Sequence, residues 1–235
     1  MSSKCPPAPA DANTLLTLQT ISLKKGTVLF RFHGGASREA NSAATFNPNS
    51  DRQIDIPEHG ARFNPFPGAP ALNIATLYAA DNLEAAALES VFHDVDHVPS
   101  PTYPVMRLKD WRYSRLVVRR DLVLFRLTNP QLRQLPVSGR RHSIKEQELV
   151  HTPSDQYPNT RTWARFLHDS VPQLQGLAWR PRLGGAGLPF VFFGDRCGTS
   201  AISAVGKPIP VASGTGFLEV QRIAATASIR LIAGR

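Results

Sequence analysis

The residues of this chain best suited to chemistry are a cation, an aromatic ring and a carboxylate that lie close together in the sequence. Arg62, Phe63 and Asn64 form an Arg-aromatic-Asn tripeptide inside a Gly/Pro-rich stretch. Tyr78 closes an apolar run, and Glu89 follows within an alanine-rich segment. Arg31 stands upstream in VLFRFHGG. A guanidinium offers a planar fork of donors that fits phosphate oxygens, so Arg31 and Arg62 around glycine-rich sequence suit a pyrophosphate. A partly buried carboxylate near cations can stabilise developing positive charge or grip sugar hydroxyls. Together these groups could hold a charged, ring-bearing substrate, with Asn64 and Tyr78 lining it. The plainer alternatives are a solvated Glu89 on a helix surface and an Arg31 that points to solvent from an alternating strand.

Other motifs carry less. His93 and His97 in HDVDH have helical i, i+4 spacing, but Asp94 stands where the zinc-protease pattern needs Glu. No third ligand is evident, and no metal site is expected. Gly184, Gly185 and Gly187 in RLGGAGLP lack the spacing of a nucleotide loop and read as a hairpin or loop. No Ser-His-Asp or Cys-His arrangement is suggested by spacing.

The elements that must position these groups are largely strands. GTVLFRFH (26–33) reads as a strand closed by Gly34 and Gly35, and IATLYAA (74–80) as another. Between them, residues 36–73 read as a long ordered loop of the kind that is often functional. A helix is predicted from Asp81 as N-cap, with Glu84 completing a capping-box-like pair and Glu89 in its middle. Leu88, Val91, Phe92 and Val95 can share its apolar face. PVMRLKDW (104–111), RLVVRRDLVLFRLT (115–128) and LPFVFFG (188–194) are further strand candidates. Trp163, Phe166 and Leu167 suggest a helix near 160–170, and FLEVQRI with SIRLI suggests a terminal hairpin. Strands without regular βα alternation indicate an α+β domain.

Composition bounds the class. With 42% hydrophobic and 19% charged residues the chain is an ordinary globular protein, not a disordered one. No apolar stretch reaches the length that spans a bilayer. MSSKCPPAPADAN lacks the apolar core of a secretory signal, so residues 1–22 read as a flexible tail and lead-in before one domain at 23–235. Cys5 and Cys197 form no ligand cluster, which favours a reducing, cytoplasmic setting. The net charge of +9 is matched by one segment: residues 107–145 hold 11 Lys/Arg against 2 Asp/Glu. Such a block could attract nucleic acid, an acidic protein or a phosphate-bearing ligand.

The ordered series Arg31, Arg62-Phe63-Asn64, Tyr78 and Glu89 resembles the RES-domain family, the toxin halves of bacterial RES–Xre toxin–antitoxin pairs. The run YPNTRTWARFLHDSVPQLQGLAWRPRLGGAGLPFVFFGDR is similar to the longer members. The resemblance covers most of residues 27–194. It implies an ADP-ribosyltransferase-like α+β fold, related to the catalytic domain of diphtheria toxin. It also implies cleavage of the nicotinamide–ribose bond of NAD, with water or inorganic phosphate as acceptor. NAD is then substrate, and no cofactor is needed. By position, Arg31 and Arg62 would bind the phosphates, Tyr78 would line the nicotinamide pocket, and Glu89 would act at the ribose. The family serine is expected beside Arg182, where this chain reads Trp179-Arg180-Pro181-Arg182. The implied partner is an Xre-like antitoxin, through which any nucleic-acid contact would pass; a homo-oligomer is left open, and no membrane is involved. The rivals are transfer of ADP-ribose to a macromolecule and a non-catalytic nucleic-acid-binding module built on residues 107–145.

Overall fold

The run Pro189–Phe193 (PFVFF) is apolar at every position, as suits a strand covered on both faces, and every residue of it is buried. It lies inside the main sheet of the protein. The computed structural model describes residues 4–9, 16–34, 43–46, 60–64, 66–68, 73–95, 98–137, 143–198 and 200–233. In chain order the strands are β1 (Thr20–Leu23), β2 (Val28–Gly34), β3 (Thr76–Ala80), β4 (Thr102–Pro104) and β5 (Trp111–Val118). They continue with β6 (Leu122–Arg126), β7 (Gly176–Ala178), β8 (Pro189–Phe193), β9 (Ile202–Pro210) and β10 (Arg230–Ile232). The helices are α1 (Leu83–Leu88), α2 (Asn129–Leu132), α3 (Glu146–Leu149), α4 (Tyr157–Ser170), α5 (Gly194–Cys197) and α6 (Gly214–Thr226).

Among the described residues, eight strands form one mixed sheet in the order β1-β6-β7-β8-β3-β2-β5-β9, and β10 pairs with β4 in a separate parallel pair. Only β6 and β7 run parallel within the large sheet. The protein is therefore a strand-rich α+β molecule with few helices, as its pattern predicts. Side chains alternate across β8: Phe190 and Phe192 pack with Leu29, Leu77 and Leu124 on one face. Val191 and Phe193 pack on the other with Trp163, Phe166 and Leu167 of α4. A third cluster joins α1, α6, β2 and β5 through Ala85, Leu88, Val220, Ile223, Phe32 and Tyr113.

The sheet is broken at its centre. β2 pairs with β5 over seven register positions, from Val28 opposite Val117 to Gly34 opposite Trp111. With β3 it shares a single register pair, Phe30 opposite Ala80. The two central strands splay past that point.

Several elements differ from the sequence expectation. The N-cap of α1 is Asn82, whose Oδ1 accepts from the Ala85 amide at 2.7 Å, while Asp81 Oδ1 accepts from the Leu188 amide at 2.8 Å. Two adjacent residues could each cap, and the neighbouring β8 loop claims Asp81. The helix ends one residue before Glu89, which is its C-cap at φ −95° and ψ 7° and not a mid-helix residue. Residues 105–108 form a 3₁₀ turn, not a strand. The candidate strand 115–128 divides at exposed Arg119, Arg120 and Asp121 into β5 and β6, which are not sheet neighbours. FLEVQRI belongs to α6, where Val220, Ile223 and Ala224 turn to the core at helical spacing and Leu218 stays exposed. SIRLI supplies β10, paired with β4 and not with its sequence neighbour. Neither β7 nor β9 stands out in the sequence pattern. Cys5, expected in a loose tail, is buried at 3% exposure; the Pro6 carbonyl beside it accepts the Trp163 indole N–H at 2.8 Å. Of the expected loop 36–73, most lies outside the described residues, as does His97.

Candidate functional site

Where β2 and β3 splay, a cavity of about 40 Å³ opens between them, lined by Arg31, Tyr78, Glu89, Ser90 and Trp179 among others. Arg31, Tyr78 and Glu89, three residues singled out in the sequence, thus face one space. β2 contributes the arginine, β3 the tyrosine and the end of α1 the carboxylate. Space of this size holds a water or two and no ring.

Glu89 is the most heavily bonded group. Its Oε2 accepts from Arg62 Nη1 at 3.2 Å and from the Trp179 indole N–H at 3.1 Å, and its Oε1 accepts from the Arg182 amide at 3.0 Å. A carboxylate has about four acceptor positions. Among the described residues three donors occupy them, which leaves one on Oε1 for a ligand hydroxyl. The ion pair is desolvated, with side-chain exposures of 4% for Arg62 and 9% for Glu89.

Arg62 is therefore paired with Glu89 and, unlike Arg31, is not among the residues that line the cavity. Its Nη2 donates to the Tyr157 hydroxyl at 3.3 Å, and its guanidinium lies over that ring, 5.3 Å from the centroid. Thr160 of α4 donates its hydroxyl to the Arg62 carbonyl, so α4 fixes the tripeptide loop from below. Beyond Tyr157 the chain of bonds continues to His93 Nε2 at 3.0 Å and from His93 Nδ1 to Asp94 at 2.8 Å. His93 is thus part of a hydrogen-bonded row that leads to Glu89.

Arg31 donates through Nη1 to the carbonyls of Ala43 (3.2 Å) and Thr45 (2.7 Å). Among the described residues no carboxylate forms an ion pair with it. Burial lowers its pKa to about 10, so it stays cationic near neutral pH. Tyr78 accepts the Phe63 amide at 3.1 Å, and burial pushes its hydroxyl far above the ordinary tyrosine value against the opposing pull of that amide and of Arg62. It is a neutral group here. Asn64 is buried at 2% exposure but does not line the cavity, and its Oδ1 meets no hydrogen-bond partner among the described residues.

Trp179 does not stand out in the sequence. It is 1% exposed, meets Phe63 and Tyr78 edge-on with centroids 5.2 Å and 6.0 Å away, and spends its only donor on Glu89. A buried tryptophan N–H nearly always finds an acceptor, which is the one signal that could have flagged it. Position 181 is proline, so the polar groups nearest Glu89 on this side are the Arg182 amide and Ser90, whose hydroxyl donates to the Ala86 carbonyl at 2.5 Å.

The glycine-rich run forms the hairpin loop between β7 and β8 and locks α1 in place. Asn82 Nδ2 donates to the Ala186 carbonyl at 2.6 Å. Gly187 sits at φ +95°, and a Cβ there would lie 2.3 Å from that same amide nitrogen. Only glycine fits.

The family model of the RES domain matches residues 29–210, from β2 to the end of β9, and so takes in every cavity residue named above. The chain belongs to the RES domain family. Among curated proteins nothing matches it. The RES match leaves α6 and β10 outside, although α6 packs against α1 through Val220 and Ile223. The helix that ends at Glu89 is thus supported from beyond the RES segment. Among the described residues no helix is long and apolar enough to cross a membrane.

Proposed function

We propose that this RES protein cleaves the nicotinamide–ribose bond of NAD, with water or inorganic phosphate as acceptor. The observation that carries this is the pairing, across one cavity, of Arg31 and Glu89. Arg31 is a cation without a carboxylate partner among the described residues, and Glu89 keeps one acceptor position open. An anion at Arg31 and a sugar hydroxyl at Glu89 satisfy both. A nicotinamide dinucleotide carries the two groups at the separation of a ribose phosphate.

In this account the C1′–N bond breaks and its electron pair leaves with neutral nicotinamide. The ribose becomes oxocarbenium-like, and the Glu89 carboxylate stabilises that charge and orients the sugar. A water or phosphate oxygen then bonds to C1′; where water attacks, its proton is released. The departing ring is neutral, so no general acid is required, in keeping with a Tyr78 held neutral. Tyr78 and Trp179 supply the aromatic wall for the ring. Arg62 acts on Glu89 and not on the substrate: its 3.2 Å ion pair holds the carboxylate in place at the cavity. The ADP-ribosyltransferase-like ancestry of the fold is part of the same proposal.

An Xre-like antitoxin is the proposed partner. Strands β5 and β6 of the basic segment 107–145 stand next to last and second in the sheet order. Arg120 is also tied to the carbonyls of Arg196 and Cys197. Incubation of the purified protein with NAD, with and without phosphate, and identification of products by mass test the proposal. Free nicotinamide with ADP-ribose or its 1″-phosphate is expected; intact NAD would refute it.

A further inference from the structure

Both carboxylate oxygens of Glu89 lead back to one residue, His93. Oε2 accepts from Arg62 Nη1, Arg62 Nη2 donates to the Tyr157 hydroxyl, and that hydroxyl lies 3.0 Å from His93 Nε2. Oε1 accepts from the Arg182 amide, and the Arg182 guanidinium donates to the His93 carbonyl at 2.7 Å. Glu89, Arg62, Tyr157, His93 and Arg182 therefore close a ring of hydrogen bonds at the end of α1. The tripeptide loop, the start of α4 and the loop between β7 and β8 each supply a member. No member can swing away without breaking a bond to the next.

We propose that His93 is a positioning residue for Glu89: it turns the Tyr157 hydroxyl into an acceptor for Arg62 and so fixes the carboxylate at the cavity. The direction of each bond follows from what each group can do. Asp94 Oδ1 lies 2.8 Å from His93 Nδ1, and an ionised carboxylate only accepts. Nδ1 therefore carries the proton, and the neutral ring offers Nε2 as an acceptor. The Tyr157 proton points at Nε2, which leaves an oxygen lone pair for Arg62, a group that only donates. Tyr157 holds the same guanidinium a second time through its ring face, 5.3 Å away. Without the Nε2 acceptor, the hydroxyl proton has no fixed direction and the Arg62 contact is weakened.

Burial makes the ring consequential. Arg62 and Tyr157 are both buried, so neither can exchange a lost partner for water. His93 is not among the residues that line the cavity of Arg31 and Glu89, so its effect passes through Tyr157 and Arg62 and not through contact with substrate. The catalytic consequence rests on NAD cleavage at Glu89; the ring itself does not.

The experiment compares His93→Leu, His93→Gln and Tyr157→Phe in the purified full-length protein, by NAD kinetics and by denaturant melts. H93L removes the acceptor and should lower kcat about tenfold, the equivalent of one hydrogen bond, with KM for NAD unchanged. H93Q supplies an acceptor again through its amide carbonyl and should recover most of the lost kcat. Adding H93L to Y157F should cost nothing further, because both delete the same link. If H93L does not fold, Y157F deletes that link from the other side and shows the same kcat loss. The melts read the ring without turnover: the drops in unfolding midpoint of H93L and E89Q should sum to more than the drop in the double variant. A rise in KM at unchanged kcat, an H93Q no better than H93L, or additive losses in the melts would each overturn the role of His93. Wild-type protein that leaves NAD intact would refute NAD cleavage instead, and the melts would then decide the ring alone.

Discussion

Arg62 and Glu89 form a buried ion pair, 3.2 Å between Nη1 and Oε2, that joins the tripeptide loop to the end of α1. Neither partner has solvent to fall back on. The pair therefore links folding and chemistry, and a substitution in it acts on both.

Glu89→Gln removes the charge with little change in volume. Turnover should fall by about two orders of magnitude or more, the usual cost of losing an electrostatic contact made in the transition state. Stability should fall as well, by roughly 3–5 kcal/mol, because a buried guanidinium is left without its counter-charge. Denaturant melts of E89Q separate the two effects. Activity retained in the folded variant would remove Glu89 from the chemistry.

Trp179→Phe keeps an aromatic ring between Phe63 and Tyr78 but deletes the N–H that reaches Glu89. Loss of a hydrogen bond to a charged group costs about 1.5–3 kcal/mol. Steady-state kinetics should show a fall in kcat, since the indole positions the carboxylate and does not hold the phosphates. A change confined to KM would mean that the indole contributes to binding alone.

Arg31→Ala should weaken NAD binding roughly 10- to 150-fold, the equivalent of that same 1.5–3 kcal/mol. Melting temperature should fall as well, because the guanidinium's charge-assisted bonds to the Ala43 and Thr45 carbonyls are lost with it. Titration with a non-cleaved NAD analogue measures the loss; an unchanged affinity would place the phosphates elsewhere.

Away from the site, His168 bridges Asp169 and Asp195, each at 2.9 Å. Burial opposes ionisation of Asp195, but the His168 hydrogen bond and the charges of His168 and Arg196 outweigh it and hold its pKa below the ordinary 3.8. A depressed carboxyl pKa adds stability above the unfolded value, and that stability is lost as pH falls through the folded one. Asp195→Asn should thus be less stable than wild type near neutrality, with the gap closing below about pH 4. A gap that persists in acid melts would show that the bridge is not the source.

Much of the architecture is legible in residue patterns. The all-apolar PFVFF, the alternation in VLFRFH and the alanine-rich turn before Glu89 each dictate a local structure, and β8, β2 and α1 are the result. FLEVQRI misleads because its spacing fits a strand on a short window and a helix on a longer one; only packing of Val220 and Ile223 against α1 decides. At the site, Arg31, Tyr78 and Glu89 stand out by type and come together. Arg62 also stands out, but its pairing with Glu89 does not. That depends on how the loop docks on α4 and α1, a long-range outcome that local sequence does not encode. Trp179 and the row from Tyr157 to His93 are silent in the sequence for the same reason.

The most direct test of the central claim is release of nicotinamide from NAD by the purified protein, freed of any bound partner, beside folded E89Q as control. The account predicts free nicotinamide from the wild type and at least about a hundredfold less from E89Q. Intact NAD with well-folded wild-type protein, in the presence and absence of phosphate, would contradict it.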